Sequence, residues 1–354
     1  IIMLFLVVFV VVAAGSWVVF QYFTIASNLP PVEDLRTRAS QFETTRILDR
    51  NGDVLYEILD PNAGRRTTIA LEKISPLLVA ATIATEDKGY YSHPGFDPIA
   101  IARAFWQNYT SDEVVSGAST ITQQLARMLL LPDERFDVSY ERKAREIVLA
   151  AEITRKFSKD EILEIYLNEI NYGNLAYGIE AGAETYFGTT ADKLTLGQAA
   201  FLAGIPQSPG VYDIYTNPDE TLRRQKNVVV LMYALSQEEN CIYVSNRPAE
   251  PVCVNASDAT QAVQELDNYQ FENQQFTMRY PHWVTYIRSL LDAQFDPQTI
   301  YRSGFTVYTT LDPALQDEAQ ASYEGWCRAG EAHIQWANHV DFVYNLIRGT
   351  NPAP

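Results

Sequence analysis

The sequence predicts a mainly α-helical protein in which an N-terminal membrane-spanning helix precedes a helical domain with small β elements on either side. Three observations support this fold class. The N-terminus is a long apolar stretch without charge, and residues 71–235 show a helical pattern with capping signals. Two short segments, 45–58 and 304–310, have the alternation or the β-branched and aromatic composition of strands.

Composition and charge narrow the class of protein. The chain has 354 residues, 47% of them hydrophobic, and a formal net charge of −17. Such a chain is neither a disordered tail nor a fibre, and its length allows about two domains. The acidic balance disfavours a nucleic-acid partner, because phosphate backbones are held by surplus Lys and Arg.

Cysteine and histidine are scarce. The chain contains three cysteines and four histidines, with no Cys-x-x-Cys and no His-Glu-x-x-His spacing. A zinc site built on sulfur or on paired histidines is therefore not expected, and the chemistry is expected to rest on carboxylates. Cys241 and Cys253 lie in a polar segment and could close a short loop if their Cα atoms approach within about 7 Å.

The first charged residue is Glu33, and residues 1–20 are about as long and apolar as a helix that crosses a bilayer. Aromatic side chains cluster around the end of this stretch, at Trp17, Phe20, Tyr22 and Phe23, as in the interfacial belt of membrane helices. We therefore predict a transmembrane anchor over residues 1–26. A cleaved signal peptide and a buried core helix are the alternatives.

The rest of the chain divides by pattern. Asn51 and Gly52 predict the turn of a β-hairpin, and Asp97 with Pro98 and Ser158 with Glu161 mark helix starts. The predicted segments are a linker with the hairpin (27–70), a helical domain (71–236), a polar insertion or linker (237–280), a helix and strand (281–318) and an unassigned tail (319–354).

Four blocks of the helical domain carry chemistry. They read ATEDKGYYSHPGFD at 84–97, GASTITQQLAR at 117–127, RKARE at 142–146 and KDEILEIYLN at 159–168. Glu86 and Asp87 follow an apolar helical run, so burial could raise one carboxyl pKa and make that group a general base. The alternative is a solvated acidic pair at a helix end. His93 is expected to be a supporting residue.

The second and third blocks suit an anionic or sugar ligand. Hydroxyls and amides at 119–124 could bind sugar hydroxyls or phosphate oxygens, or could simply cap a helix. Basic residues concentrate between 127 and 159, which favours a polyanion such as pyrophosphate; the alternative is a solvated face with pairs such as Arg142–Glu146. Glu146 shares a helical stripe with Leu149 and Ile153, so it should enter the core and need partners. Glu164 and Asn168, in the fourth block, are interpreted as architectural.

Together and in this order, the four blocks resemble peptidoglycan glycosyltransferase family 51, the polymerase module of class A penicillin-binding proteins and of monofunctional transglycosylases. The resemblance implies a lysozyme-like fold with a large lobe and a small membrane-dipping lobe. It also implies an enzyme on the extracytoplasmic side of the cytoplasmic membrane, held by a single-pass anchor. Such an enzyme polymerises lipid II into β-1,4 glycan strands with inversion and releases undecaprenyl pyrophosphate.

The resemblance also implies roles for particular residues. Glu86 would be the general base, Glu146 a second essential carboxylate, and a divalent cation, Mg or Mn, would help neutralise the leaving group. Two departures are Ala118, where a second Gly is common, and Arg127, which replaces the usual Lys. The residues expected to bind substrate are Asp87, Tyr90, His93, Ser119, Thr120, Gln123, Gln124, Arg127, Arg135, Arg142, Lys143 and Arg145.

Residues 281–316 resemble the linker that precedes a transpeptidase domain, yet the chain has no Ser-x-x-Lys, and its last lysine is Lys226. It is therefore expected to be a piece of a class A protein or a shortened product. The alternatives to a polymerase are a lysozyme-like hydrolase or lytic transglycosylase and a non-catalytic membrane-anchored scaffold. Expected partners are lipid II, the growing glycan and cell-wall synthesis proteins.

Overall fold

The computed structural model describes residues 2–27, 29–39, 43–59, 64–110, 119–134, 137, 139–245, 251–271, 278–295, 299–300 and 304–329. These form two compact units, one from residues 1–42 with 62–274 and the other from 43–61 with 275–354. Most of the regular structure is helical, which confirms the predicted fold class.

The first unit is built from helices. In chain order they are α1 (Ile2–Ala26), α2 (Asp34–Ala39), α3 (Pro76–Glu86), α4 (Pro98–Thr110), α5 (Ile121–Leu129), α6 (Tyr140–Lys156), α7 (Lys159–Glu169), α8 (Ile179–Phe187), α9 (Leu196–Gly204), α10 (Pro218–Glu238) and α11 (Ala256–Asp267). Short 3₁₀ turns occur at Leu71–Lys73, Pro132–Glu134, Ala191–Lys193 and Ile205–Gln207.

Helix α1 has the properties predicted for a membrane span. Its segment Val8–Ala26 is 19 residues long and apolar enough to cross a bilayer, and none of its described residues is buried. Near its end, the Tyr22 hydroxyl donates a hydrogen bond of 2.5 Å to Glu152 of α6. The anchor therefore contacts the helical unit directly.

The predicted helix starts are confirmed. Asp97 Oδ1 accepts hydrogen bonds from the backbone N–H groups of Ile99 (2.8 Å) and Ala100 (3.0 Å) at the start of α4. Ser158 and Glu161 form a reciprocal capping box at the start of α7. These bonds satisfy N–H groups that have no partner within their own helix.

Helix α3 lies in the core of this unit. Its residues 78–84 are all buried, and α3 packs against α9 and α10. The alanines Ala80, Ala81 and Ala84 allow neighbouring backbones to come close. Because α3 is buried almost all round and ends at Glu86, its last turn carries a carboxylate from the core to the surface.

A latch centred on Asn168 holds the 3₁₀ turn region to the end of α7. The Asn168 amide accepts from Ile69 N (3.0 Å) and donates to the carbonyl oxygens of Ile69 and Glu164 (2.8 Å each). Glu164 accepts from Leu71 N at 2.8 Å. Gly178 packs against the same place, since a Cβ there would lie 2.6 Å from Asn168 O. Both side chains are architectural, as predicted.

The same unit contains two strands, β3 (Arg65–Arg66) and β4 (Ala176–Tyr177), which pair in parallel. Arg66 also forms a buried ion pair with Glu169, at 2.7 Å. Burial raises the pKa of Glu169 to about 7, while Arg66 opposes this rise. The pair joins the β3–β4 ladder to the end of α7.

The segment predicted as a polar insertion or linker, 237–280, is folded in its described part. Val252, Val254, Ala262 and Leu266 are buried in the core of the first unit. Cys241 and Cys253 form a disulfide with their Cα atoms 4.3 Å apart, which confirms the pairing that the sequence allowed. The polar residues of this segment face outward, so its few apolar positions were enough to fold it onto the helices.

The second unit contains β1 (Thr45–Leu48), β2 (Val54–Ile58), α12 (Pro281–Gln294), β5 (Thr306–Tyr308) and α13 (Pro313–Ala329). The sheet order is β2-β1-β5; β1 and β2 form the predicted antiparallel hairpin, and β5 joins β1 in parallel. Its core is formed by Ile47, Leu55, Ile58, Val284, Ile300 and Leu311.

Residues 43–61 thus group with 275–354, whereas the sequence placed them in one linker with the residues on either side. The reason is long-range pairing: Arg46 is opposite Thr306, and short-range patterns carry no signal for such a partner. Helix α13 extends into the segment left unassigned, and residues 330–354 lie outside the described residues.

We predict that Asn168→Ala lowers the free energy of unfolding by about 3 kcal/mol, because it removes the buried Asn168 amide and leaves the half-buried N–H and C=O of Ile69 without these partners. Asn268→Ala is the matched control: its amide also donates to a carbonyl four residues earlier, but in an exposed position. That change should cost no more than about 0.5 kcal/mol. Urea unfolding of both variants measures the difference, and equal losses would contradict the latch.

Candidate active site

The site begins at Glu86, the last residue of α3. Its carboxylate is half-buried and accepts a hydrogen bond of 2.6 Å from Gln124 Nε2 on α5. The Tyr166 hydroxyl donates to Gln124 Oε1 at 3.1 Å, and Tyr166 is buried. The tyrosine therefore orients the amide so that its N–H points at Glu86.

Burial raises the pKa of Glu86 above the usual carboxyl value of 4.5. The neighbouring Asp87 adds to the rise, while the Gln124 hydrogen bond and the charges of Arg224 and Arg127 oppose it. A carboxylate with a raised pKa is a stronger base than an ordinary one. The environment expected from the sequence is thus present at Glu86.

Asp87 has a different setting, inside the turn that follows α3 and contacts the start of α5. Its Oδ1 lies 2.8 Å from His93 Nε2, and its Oδ2 accepts from Ile121 N at 3.1 Å. Gly95 N donates to His93 Nδ1 (3.2 Å), which leaves Nε2 as the ring nitrogen placed to donate to Asp87. Thr120 Oγ1 donates to Gly95 O at 2.6 Å and completes the turn.

Two further predicted substrate contacts lie inside the protein. Tyr90 and Gln123 are fully buried; the Tyr90 hydroxyl donates to Lys159 O at 2.6 Å, and Gln123 forms a capping box with Thr120. The capping alternative for residues 119–124 is therefore confirmed for Thr120 and Gln123. Tyr90, Asp87 and His93 support the site from within, since their polar side-chain atoms have internal partners, whereas Gln123 Nε2 is buried without a hydrogen-bond partner.

The second carboxylate, Glu146, is only 1% exposed. Three cations surround it: Arg142 contacts Oε1, Lys143 Nζ lies 3.1 Å from Oε2, and Arg127 Nε lies 3.9 Å from Oε1. The Arg142–Glu146 pair was expected, but its burial rules out the alternative of a solvated helix face. Three cations thus surround one buried carboxylate, and Asp137 and Glu134 are further acidic side chains near Arg142.

We define the cationic cluster as Arg127, Arg142 and Lys143. Ser119 lies at its edge, in contact with Lys143. Lys143 Nζ lies 2.7 Å from Ser119 Oγ. Burial, together with the nearby charges of Arg127 and Arg142, lowers the pKa of Lys143 to about 8. The part of this lowering that comes from the two arginines reflects local positive charge, which an anion would relieve. The cluster is therefore suited to a phosphate group.

Helix α5 connects the two carboxylates. Gln124 bonds to Glu86, and Arg127, three residues later, faces Glu146. Residues three apart lie on one face of a helix. Arg127 has no ion pair other than that with Glu146 in the described part of the chain, and its side chain is 32% exposed. It is available to a ligand between Glu86 and Glu146.

The remaining predicted residues lie elsewhere. Arg145 points away from Glu146 and pairs with Glu134 (2.5 Å) and Glu141 (3.6 Å). Arg135 lies outside the described residues. The sequence analysis missed Arg224 of α10, whose Nε donates to Gly204 O at 3.2 Å and whose charge lowers the pKa of Glu86. No local pattern marks Arg224, since only the packing of α10 against α3 brings it there.

The family model described as Transglycosylase matches residues 51–233, which include all of these groups. The chain belongs to the transglycosylase family. Residues 234–354 lie beyond the matched region.

Relatives of this transglycosylase include penicillin-binding protein 1A of Vibrio cholerae (36% identical over 315 residues, 88% of this chain and 35% of the relative). Penicillin-binding protein 1A/1B of Bacillus subtilis is 34% identical over 323 residues, 90% of this chain and 33% of the relative. The crystal structure of penicillin-binding protein 1A from Haemophilus influenzae gives a TM-score of 0.40 at 20% identity, covering 79% of this chain and 28% of that one. The chain spans about a third of the length of the two sequence relatives.

The raised pKa of Glu86 predicts a pH-dependent stability. Over the range between the unfolded and the folded pKa, the folded protein keeps a proton that the unfolded chain has lost, so the free energy of unfolding falls as pH rises. Glu86→Gln should therefore raise the melting temperature at about pH 7 and change it little at about pH 4. Thermal unfolding at both pH values measures this. Glu239→Gln, an exposed change, should have little effect at either, and a lower melting temperature for Glu86→Gln at neutral pH would contradict the assignment.

Proposed function

We propose that the chain is a peptidoglycan glycosyltransferase that joins lipid II units into β-1,4 glycan strands by inverting transfer and releases undecaprenyl pyrophosphate. The observation that carries this proposal is the arrangement along α5, where Gln124 bonds the basic carboxylate Glu86 and Arg127 faces the cationic cluster. A base and a pyrophosphate site on one helix face are the two parts that glycosyl transfer from a pyrophosphate donor needs.

In this proposal Glu86 accepts the proton of the acceptor sugar 4-hydroxyl. The hydroxyl oxygen attacks C1 of the donor sugar from the side opposite the pyrophosphate, a C1–O bond forms, and the bond from C1 to the pyrophosphate oxygen breaks. The pyrophosphate leaves with the electron pair, and the configuration at C1 inverts. The Gln124 hydrogen bond, oriented by Tyr166, holds the Glu86 carboxylate for this step.

The cationic cluster would stabilise the negative charge that grows on the leaving pyrophosphate. Arg127 is partly exposed and without a close hydrogen bond to Glu146, at 3.9 Å, so it can turn toward a ligand with little loss. Glu146 would keep Arg142 and Lys143 in place, since a buried carboxylate with several cations fixes their side chains. Glu146 is thus proposed to act by holding the cluster.

The anchor supports a lipid-linked substrate. A chain with α1 in the bilayer keeps the helical unit at the membrane, where both donor and acceptor carry lipid tails. We place the helical unit on the extracytoplasmic side, an oxidising setting that the Cys241–Cys253 disulfide favours.

The divalent cation, Mg or Mn, stays a prediction. Among the described residues no group of three or more His, Cys, Asp or Glu side chains is placed to hold a metal ion. Asp87 is bonded to His93 and Ile121, and Glu146 is surrounded by cations. These side chains do not form a cation site on their own, so no step is derived through one.

The first test is polymerisation of lipid II. We predict that Glu86→Gln lowers the rate at least about 100-fold and changes binding of lipid II by less than about tenfold, because a general base acts in the transition state. The surface variant Glu239→Gln should polymerise like the wild type. A wild-type protein that degrades preformed glycan and makes no polymer would favour the hydrolase or lytic alternative, and an active Glu86→Gln would reject the base assignment.

A second test separates two arginines by their partners. Arg127→Met should weaken binding of inorganic pyrophosphate about tenfold at low salt, as expected for loss of a charge-assisted bond. Arg145→Met should weaken it by less than about threefold, because Glu134 and Glu141 already pair with Arg145. Isothermal titration calorimetry gives both constants. The reverse order would show that the pyrophosphate site lies on the Arg145 side.

A further inference from the structure

A short strap closed by the disulfide lies over the turn that follows Glu86. We define the strap as the described residues of 241–254, namely 241–245 and 251–254. Its two arms are joined by Cys241–Cys253 and by backbone hydrogen bonds between Ile242 and Val252 of 2.7 and 2.9 Å. Val254 N also donates to Ser236 Oγ on α10 at 2.9 Å. The strap is thus a rigid element attached to the helical core.

The strap holds one residue of the active-site turn, Tyr91. The Tyr91 hydroxyl lies 2.7 Å from Val244 O and 3.0 Å from Asp160 Oδ1, and it shares its single proton between these acceptors. Ser245 Oγ donates to the other carboxylate oxygen of Asp160 at 2.8 Å. The Tyr91 ring meets the Tyr243 ring edge-on at 5.4 Å. Three consecutive residues of the strap therefore contact Tyr91 or its acceptor.

Tyr91 lies inside the turn that carries the hydrogen bonds of the site. Asp87 and His93 bond to each other on either side of it, and Asp87 holds the N-terminus of α5 at Ile121. Glu86 is the residue before Asp87, so a shift of this turn displaces both the base and the helix that carries Gln124. A displacement of Tyr91 would therefore move Glu86 through the backbone of the turn, and Gln124 through the hydrogen bond between Asp87 and Ile121.

We propose that the disulfide-closed strap, acting through the Tyr91 hydroxyl, positions the turn 87–93 and thereby sets the rate of the proposed glycosyl transfer. This inference rests on the proposed function. Tyr91 is a positioning residue, since its hydroxyl bonds within the protein. The disulfide matters because it ties the arm that presents Val244 and Ser245 to the second arm, which bonds to Ser236 of α10 through Val254.

Two variants test the proposal by different routes. Tyr91→Phe removes the hydroxyl and keeps the ring, and it should lower kcat for lipid II polymerisation about tenfold with KM within about twofold, since positioning acts on the transition state. The double variant Cys241→Ser/Cys253→Ser should show a similar loss. Tyr280→Phe is the matched control: its hydroxyl also donates to a carboxylate, Asp317, at 2.8 Å in the second unit, and its kcat should stay at the wild-type value.

Reduction gives the decisive coupling experiment. Dithiothreitol breaks the disulfide by giving two electrons and two protons to the two sulfurs, and it becomes a cyclic disulfide itself. It should lower the kcat of the wild type and leave both the cysteine double variant and Tyr91→Phe unchanged, because each already lacks the connection. A merely stabilising disulfide would make Tyr91→Phe as sensitive to reductant as the wild type, which would overturn the proposal.

Amide hydrogen exchange keeps the test independent of the proposed function. Exchange at residues 87–93 should become faster in Tyr91→Phe and in reduced wild type, while the amides of α9 keep their wild-type rates. Unchanged exchange in that turn would overturn the proposal, whether or not the cysteine variant folds. An oxidised wild type that makes no polymer would instead reject the proposed function, and the exchange result would still decide the inference about positioning.

Discussion

The hydrogen bond from Ile121 N–H to the Asp87 carboxylate is the connection on which the arrangement of the site depends. It joins the end of α3 to the start of α5, where a helix N-terminus favours a negative charge. Glu86 precedes Asp87 by one residue, and Gln124 and Arg127 follow Ile121 by one and two turns of helix. One capping bond therefore fixes the distance from the base to its amide partner and to the cationic cluster. His93 holds the same carboxylate from the other side, so the cap is kept in place by a second element.

The site carries an energetic cost, because it holds ionisable groups in surroundings that disfavour their charged forms. Burial raises the pKa of Glu86 and lowers that of Lys143, so each group is less stable in its charged form than it would be in water. Glu146 is buried among three cations that it cannot neutralise alone. Both features disfavour the folded state, and both are useful for a reaction that removes a proton at one end and develops negative charge at the other. Stability and activity should therefore change in opposite directions when Glu86 is neutralised.

The sequence predicted those features that depend on residues close to one another along the chain. The caps of α4 and α7, the burial of α3 and the entry of Glu146 into the core follow from residues within one or two turns. The roles of Tyr90 and Gln123 did not follow, because a tyrosine and a glutamine in a polar block look the same whether they face solvent or a backbone partner. The ion pair of Arg145 could not be predicted either, since Glu134 becomes its partner only after the chain turns before α6. Arg224, the β1–β5 pairing and the strap on Tyr91 depend on contacts between distant segments, and a single sequence contains no pattern for these.

Helix α6 connects the anchor helix α1 to the candidate active site. Its first half carries Arg142, Lys143 and Glu146, and Glu152 in its second half bonds to Tyr22 at the end of the anchor. Six residues of helix separate Glu146 from Glu152, a rise of about 9 Å at 1.5 Å per residue. Measured along the α6 axis, a pyrophosphate bound beside Glu146 would thus lie about 9 Å from the point where the anchor meets the helical unit. That distance suits a donor whose pyrophosphate is attached directly to a lipid chain, because the lipid can remain in the bilayer while the sugar reaches Glu86. A soluble sugar nucleotide would not need such a position, so this arrangement agrees with the lipid-linked donor of the proposed function.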